Sequence, residues 1–298
     1  MPNGAIVRTK PGFIHLLGRA VGRRFRGRMG VYRFLRLLHH PDHRQHSWLE
    51  TVDSAASGGP KFHLSTRWYP EWKSWFYGSQ DPEIQHWITH HSKPDWVAFD
   101  IGMNFGFFAC LLGQRCSAVY GFEPVPWLAK RARANVELNR FSNVAIAEIA
   151  LSERPGEALL NLPSGEDSNW GTSSLVHQST GRETLKVPLD TVDNCVDRQK
   201  LCRLDFIKID VEGAEDLVLR GAAKTLRRFR PTIIFEHNPE SVANVAALLR
   251  QHEYRFADLS GKNLGDDPKT WPHDVLALPL DQCGAAASAI RQSALCAQ

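Results

Sequence analysis

Long apolar runs are missing from this chain of 298 residues, and none reaches the roughly 18 needed to cross a bilayer. A secretory pattern is missing as well, because Arg and Gly interrupt every early apolar stretch before a signal-like core can form. A cytoplasmic setting is therefore the default expectation. Cysteines are few and unpatterned: Cys110, Cys116, Cys195, Cys202, Cys283 and Cys296 include no C-x-x-C spacing and no zinc-like grouping with histidine. In a chain this long they read as reduced, mostly structural thiols rather than a disulfide framework. A strong overall charge is also absent, since 36 basic residues nearly balance 32 acidic ones. What is present, 43% apolar and 23% charged residues, is enough to bury a full core.

The near balance conceals an asymmetry. Residues 1–46 hold ten Lys or Arg against one acid, Asp42, so this arm carries +9 and the remaining chain −5. A mildly acidic body argues against a nucleic-acid groove across it. Within the arm, Phe13, Leu17, Val21 and Phe25 recur at helical spacing, and Val31, Phe34, Leu35 and Leu38 resume the pattern after Gly27–Gly30. Two basic amphipathic helices are expected, acting either as a cap with solvated arginines or as a peripheral contact with an anionic membrane face. The histidines at 39, 40, 43 and 46 lack companion cysteines or acids and read as a solvated loop. Residues 54–60 have linker chemistry.

Six of the nine tryptophans (Trp48, Trp68, Trp72, Trp75, Trp87, Trp96) fall between 48 and 96. They read as packing of an N-terminal subdomain, with a lid over an apolar substrate as the alternative. From 96 onward, apolar strands alternate with helical patterns, which implies a parallel sheet. Strands are expected at 96–101, 118–122, 144–151, 205–211, 232–235, 254–259 and 274–278, with helices at 126–139, 214–228 and 241–251. An inserted β region is expected at 155–189. The resulting division is a basic helical extension and linker at 1–60, a Trp-rich subdomain at 61–95, the main domain at 96–283 and a flexible tail at 284–298.

Chemistry concentrates at Asp100-Ile-Gly-Met-Asn-Phe-Gly106, between a strand and a helix. Gly102 allows a sharp turn, Asn104 tolerates unusual backbone angles, and Gly106 allows close approach of backbone to a ligand. Glu123 closes the next strand, where an acid can bind ribose hydroxyls. A nicotinamide dinucleotide would call for G-x-G-x-x-G beneath a pyrophosphate. The spacing here differs, and the acid Asp100 suits an ammonium and a sulfonium better than phosphates. Two rivals are an NAD-dependent oxidoreductase and a non-catalytic membrane-associated binding protein.

These residues, with Phe122-Glu-Pro124, Asn139, the 169–175 segment, Leu189-Asp190, Ile207-Lys-Ile-Asp-Val-Glu-Gly-Ala-Glu215 and Glu236-His237, resemble the FkbM-type methyltransferase family over roughly residues 80–280. Met103 departs from the alanine common there. The resemblance implies a Rossmann-like class I methyltransferase fold: a seven-stranded, mostly parallel sheet with helices on both faces, preceded here by the helical extension. It implies S-adenosylmethionine as cofactor and O-methylation of a sugar, lipid, polyketide or similar hydroxyl, on a small-molecule or glycan/lipid acceptor with no nucleic acid.

Carried onto this chain, Asp100, Gly102, Asn104 and Gly106 line the methionine end, Glu123 holds the ribose with Asn139 supporting that wall, and Ser152 or nearby backbone meets the base. Asp210 belongs to both cofactor and catalytic sets. His237 is the first choice as general base, with Asp210 as partner or alternative and Glu236 beside them. Asp210, Glu236 and His237 also make a candidate Mg2+ or Mn2+ site. Glu212 reads equally as a loop brace or a site residue, Glu215 as a helix N-terminal acid, and Lys208 as either site-facing or packed against a helix.

Overall fold

The computed structural model describes residues 11, 13–25, 29–38, 49–53, 59–66, 68–162 and 183–280. The histidines at 39–46, Trp48, the 169–175 segment and the 284–298 tail lie outside them. Helices α1 (Phe13–Arg24) and α2 (Met29–Leu38) precede an antiparallel hairpin of β1 (Leu49–Asp53) and β2 (Lys61–Ser65), then α3 (Tyr69–Tyr77) and α4 (Pro82–His91). The alternating region begins β3 (Val97–Ile101), α5 (Phe107–Gly113), β4 (Ala118–Phe122), α6 (Pro126–Leu138), β5 (Val144–Ala147). A small insert contributes β6 (Ala150–Leu151), β7 (Gly156–Asn161) and β8 (Thr184–Asp190). The chain then runs α7 (Val192–Arg198), β9 (Phe206–Ile209), α8 (Glu215–Arg220), α9 (Ala223–Phe229), β10 (Thr232–Glu236), α10 (Val242–Gln251), β11 (Tyr254–Ala257) and β12 (Asp274–Pro279).

Seven strands form one sheet in the order β11-β12-β10-β9-β3-β4-β5, parallel except for β12, which runs antiparallel to both neighbours. Every residue of β3 and of β9 is buried, as expected of strands covered on both faces. Alternate side chains serve two cores. Ala98, Val119, Phe206, Ile234 and Leu276 face α3 to α6, whereas Phe99, Ile101, Ile207, Ile233 and Phe235 face α7 to α10. The Trp-rich segment joins the first of these cores. Trp72 and Trp75 are fully buried, and Trp87 stacks on Phe206 of β9 with ring centroids 5.3 Å apart.

Local chemistry explains the helix ends. Asp81 caps α4 by accepting from the amides of Glu83 and Ile84, with Pro82 in the first turn. Thr191 caps α7 by accepting from the Asn194 amide. Two expected elements divide. The strand expected at 144–151 ends at Ala147, and β6 leaves the main sheet to pair in parallel with β8. The helix expected at 214–228 breaks between α8 and α9 at Gly221, where a β-carbon would lie 2.1 Å from the Ser152 carbonyl oxygen. That backbone crossing leaves no room for a side chain.

The N-terminal elements are tied to α6 by polar contacts. The Glu71 carboxylate of α3 is buried, accepts from the Ser65 amide and pairs with Arg131 of α6. Burial raises its pKa, against the pull of the Arg131 guanidinium. Arg131 also donates to the His63 carbonyl and lies 4.5 Å from the centre of the Trp68 ring. Arg131→Met strands a buried carboxylate and is expected to cost about 3–5 kcal/mol in urea unfolding. Adding Glu71→Gln should recover a large part of that loss, and a midpoint unchanged in the single variant would refute the pairing as a structural tie.

Candidate active site

The strand order reverses direction between β3 and β9, and a cavity of about 280 Å³ opens outside their carboxyl ends. This is the place where open α/β sheets bind ligands, and the volume approaches the roughly 300–1,000 Å³ usual for such pockets. The turn after β3 builds one wall. Gly102 has φ 76° and donates to the Phe122 carbonyl, and a β-carbon on it would lie 1.8 Å from the Asp210 carbonyl oxygen. Asn104, at φ 54°, donates its backbone N–H to Glu123 Oε2 at 2.9 Å, and the Val125 backbone N–H donates to Oε1 at 2.9 Å. Burial pushes the Glu123 pKa up to about 7 despite those two amides. Ile149, Ala150, Leu151, Val125 and Leu128 supply an apolar wall beyond it.

The opposite end is acidic. Asp210, Glu212 and Glu236 line the cavity, and one oxygen from each lies within 4.8 Å of the others. His273 joins them, its Nε2 3.0 Å from Glu236 Oε1 and its Nδ1 3.5 Å from Asp274 Oδ1. Those two carboxylates raise the imidazole pKa to about 10. Beneath this end, Lys208 is buried with its Nζ 3.0 Å from Asp210 Oδ2 and 4.9 Å from the centre of the Phe108 ring. Burial opposes its charge, but Asp210 and Asp100 outweigh that and hold its pKa above the ordinary value. Asp210 is kept below the usual range because Lys208 overcomes its burial. Glu236 is raised by burial, with His273 opposing the shift and the neighbouring Asp210 carboxylate adding to it. Glu212 rises to about 8, through burial and then the neighbouring Glu236, Asp210 and Glu215 carboxylates.

Of the residues singled out in the sequence, Gly102, Asn104, Glu123, Asp210 and Glu236 line this cavity, whereas Asp100, Gly106, Asn139, Ser152 and His237 do not. Asp100 lies behind the floor, fully buried, and among the described residues neither oxygen has a hydrogen bond of normal geometry. Burial raises its pKa to about 6 against the pull of Lys208. The close approach that Gly106 permits is to α6, since a β-carbon there would sit 2.9 Å from that of Ala132. Asn139 clips β2 to the end of α6, accepting from the Lys61 amide at 2.8 Å and donating to its carbonyl at 2.7 Å. Ser152 is engaged through its backbone, donating to the Asp190 carbonyl.

His237 follows Glu236 at a strand end, and successive side chains there point to opposite sides. With Glu236 lining the cavity, the His237 Nε2 is buried outside it and has no hydrogen-bond partner among the described residues. His273 takes its place, because β12 pairs antiparallel with β10 and sets Asp274 opposite Glu236. The expected strand at 274–278 carried that signal only once its partner was known. Glu215 braces the loop from within, accepting from the Gly213 amide and the Ser241 hydroxyl. Met103 fills the space left by Gly121, where a β-carbon would lie 2.4 Å from its sulfur.

This sheet order, with one reversed strand and a cavity at the carboxyl ends of β3, β4, β9 and β10, defines a Rossmann-like class I methyltransferase fold with helices on both faces. The FkbM methyltransferase domain matches residues 100–256, and the chain belongs to that family. It is 30% identical over 152 residues to the 2-O-methyltransferase NoeI of Sinorhizobium fredii, covering 46% of this chain and 62% of that protein. It is 26% identical over 174 residues to the hexuronic acid methyltransferase AglP of Haloferax volcanii, covering 58% of this chain and 69% of that protein. A solved FkbM methyltransferase from Methylobacillus flagellatus aligns with a TM-score of 0.43 at 15% identity, over 69% of this chain and 54% of its own.

The floor charge is open to direct measurement. Lys208→Met leaves the buried Asp100, and Asp210 at the cavity wall, without their cation, and a stability loss of about 2–4 kcal/mol is expected in urea titration. Combining it with Asp210→Asn should return part of the loss. Wild-type stability in Lys208→Met would show that the ammonium is not needed there.

Proposed function

We propose that this chain transfers a methyl group from S-adenosylmethionine to a hydroxyl oxygen of a sugar or a similar natural product. The observation that carries the reading is one cavity joining Glu123, beside an apolar wall, to an acidic end at Asp210, Glu212 and Glu236. The residues suit that cofactor. Glu123 retains lone pairs for ribose hydroxyls, the wall at Ala150 and Leu151 accepts a flat base, and the acids favour an ammonium and a sulfonium. Bound there, the cofactor supplies a methyl carbon on a positively charged sulfur. The hexuronic acid methyltransferase among the relatives supports a sugar acceptor.

The protein's own task is to position the acceptor and take its proton. Glu212 is the carboxylate best placed for the proton. It lines the cavity, and its pKa of about 8 makes it a stronger base than an ordinary glutamate. Asp210, held ionised by Lys208, contributes negative charge facing the sulfonium. His273, with its Nε2 3.0 Å from Glu236 Oε1, orients Glu236. His237, set away from the cavity, has no part in this scheme.

A second reading rests on the spacing of the Asp210, Glu212 and Glu236 oxygens, which would suit Mg2+ or Mn2+. In this cluster Glu212 stands where the sequence reading had His237. The buried Lys208 ammonium beside Asp210 already offsets part of that negative charge, which supports proton transfer without a metal.

Two experiments test the function. Calorimetry should show S-adenosylhomocysteine binding, weakened about 30- to 150-fold in Glu123→Ala, the equivalent of roughly 2–3 kcal/mol. Absence of binding by the wild type would overturn the cofactor assignment. With hexuronic acid glycosides as acceptors, kcat/KM should rise with pH through about 8, as Glu212 loses its proton. Glu212→Gln should lower kcat by about 10²- to 10⁴-fold. Turnover should survive exhaustive chelation; loss that Mg2+ restores would favour the metal reading.

A further inference from the structure

Helix α1 turns the wrong way for a helix that serves only the core of this protein. Its large apolar side chains Phe13, Ile14, Leu16 and Leu17 are exposed, Phe13, Leu16 and Leu17 on the side away from its buried residues, Gly18 and Gly22. The reason is a close backbone contact with α3: a β-carbon on Gly22 would lie 2.8 Å from the Phe76 carbonyl oxygen and 2.8 Å from Leu35 Cδ1 of α2. Arg19 adds to this docking, 5.0 Å from the centre of the Trp75 ring. Helix α2 behaves alike. Leu35 is fully buried while Phe34 and Leu37 face outward.

Seven of the nine exposed large apolar side chains among the described residues belong to this helix pair and the residue after α1. Phe13 is 80% exposed and Leu37 85%. Arg24 and Arg33 are exposed among them, and neither helix contains an acid.

We propose that the outward face of α1 and α2 is a docking surface for an anionic lipid bilayer. An apolar stripe flanked by arginines, on helices already anchored to the body from behind, has the amphipathic composition of interfacial helices. The charge argument selects this partner. Residues 1–46 carry +9, while the remaining chain at −5 is repelled by an anionic surface, so the contact is confined to the arm. Apolar side chains enter the acyl boundary while arginine stems lie along it and keep their charges at the headgroups.

The test is co-sedimentation of the full chain with vesicles of 30:70 phosphatidylglycerol and phosphatidylcholine, set against pure phosphatidylcholine (mole ratio chosen on the order of typical anionic leaflets). Partition into the anionic vesicles should be at least about tenfold higher than into the neutral ones. Two variants separate the contributions: Phe13→Ser with Leu17→Ser and Leu37→Ser, and Arg24→Gln with Arg33→Gln. At about fivefold per arginine, the second should lower anionic partition roughly 25-fold. Both should keep the wild-type circular dichroism and thermal midpoint, because the replaced side chains are exposed. Equal wild-type binding to both vesicle types, or variants that bind as wild type, overturns the proposal. So does a wild-type dimer without vesicle binding that these variants dissociate, which would assign the face to a second copy of this chain.

Discussion

The ammonium of Lys208 is the charge on which the carboxyl end of the sheet depends. It stands in a fully buried strand, opposite Asp100 on β3 in the parallel register and two residues from Asp210. Without it, two carboxylates would share a floor where burial favours the neutral form of each. With it, Asp210 stays ionised, whereas burial first, and the neighbouring carboxylates after it, raise the pKa values of Glu212 and Glu236. Neighbouring acids are thereby separated into one that remains charged and others that take up protons readily. Such a division of environments is how one fold assigns different roles to like residues.

Backbone crossings set the geometry around that charge. The loops after β3 and β9 pass so closely that Gly102 has no space for a side chain beside the Asp210 carbonyl, and Gly221 is in the same position beside Ser152. The first crossing brings the turn carrying Asn104, and with it Glu123 at the end of β4, against the acidic end of the cavity. The second breaks a helix that the hydrophobic pattern runs straight through. Both are contacts between segments far apart in the chain. Glycine at these positions announces a constraint without naming its partner, which is why Gly106 could be read as a ligand contact when it is a helix contact.

The same limit applies at the N-terminus. Spacing shows that α1 has an apolar stripe, and composition shows that the arm is basic. Neither reveals that the body takes the Gly18 and Gly22 side and leaves the stripe outside. A helix made for a single partner would bury its largest side chains; this one buries its smallest, because the α3 backbone comes too close for anything larger.

Strand and helix alternation, the tight turn at Gly102, Glu123 at the end of β4, Asp210 at the end of β9 and the basic arm were all legible from residue order. Each rests on local periodicity, on a backbone angle or on charge count, and those are properties of neighbours in the chain. The assignments that needed the folded molecule all depend on contacts across it. Asn139 clips β2 because that strand lies against α6, and His273 rather than His237 lines the cavity because β12 returns antiparallel beside β10. The third strand split because β6 found its hydrogen bonds in β8 rather than β4. Local order determined which elements form and where their chemistry ends; pairing between distant strands decided which side chains meet, because a side chain's partner is set by the register of strands far apart in sequence.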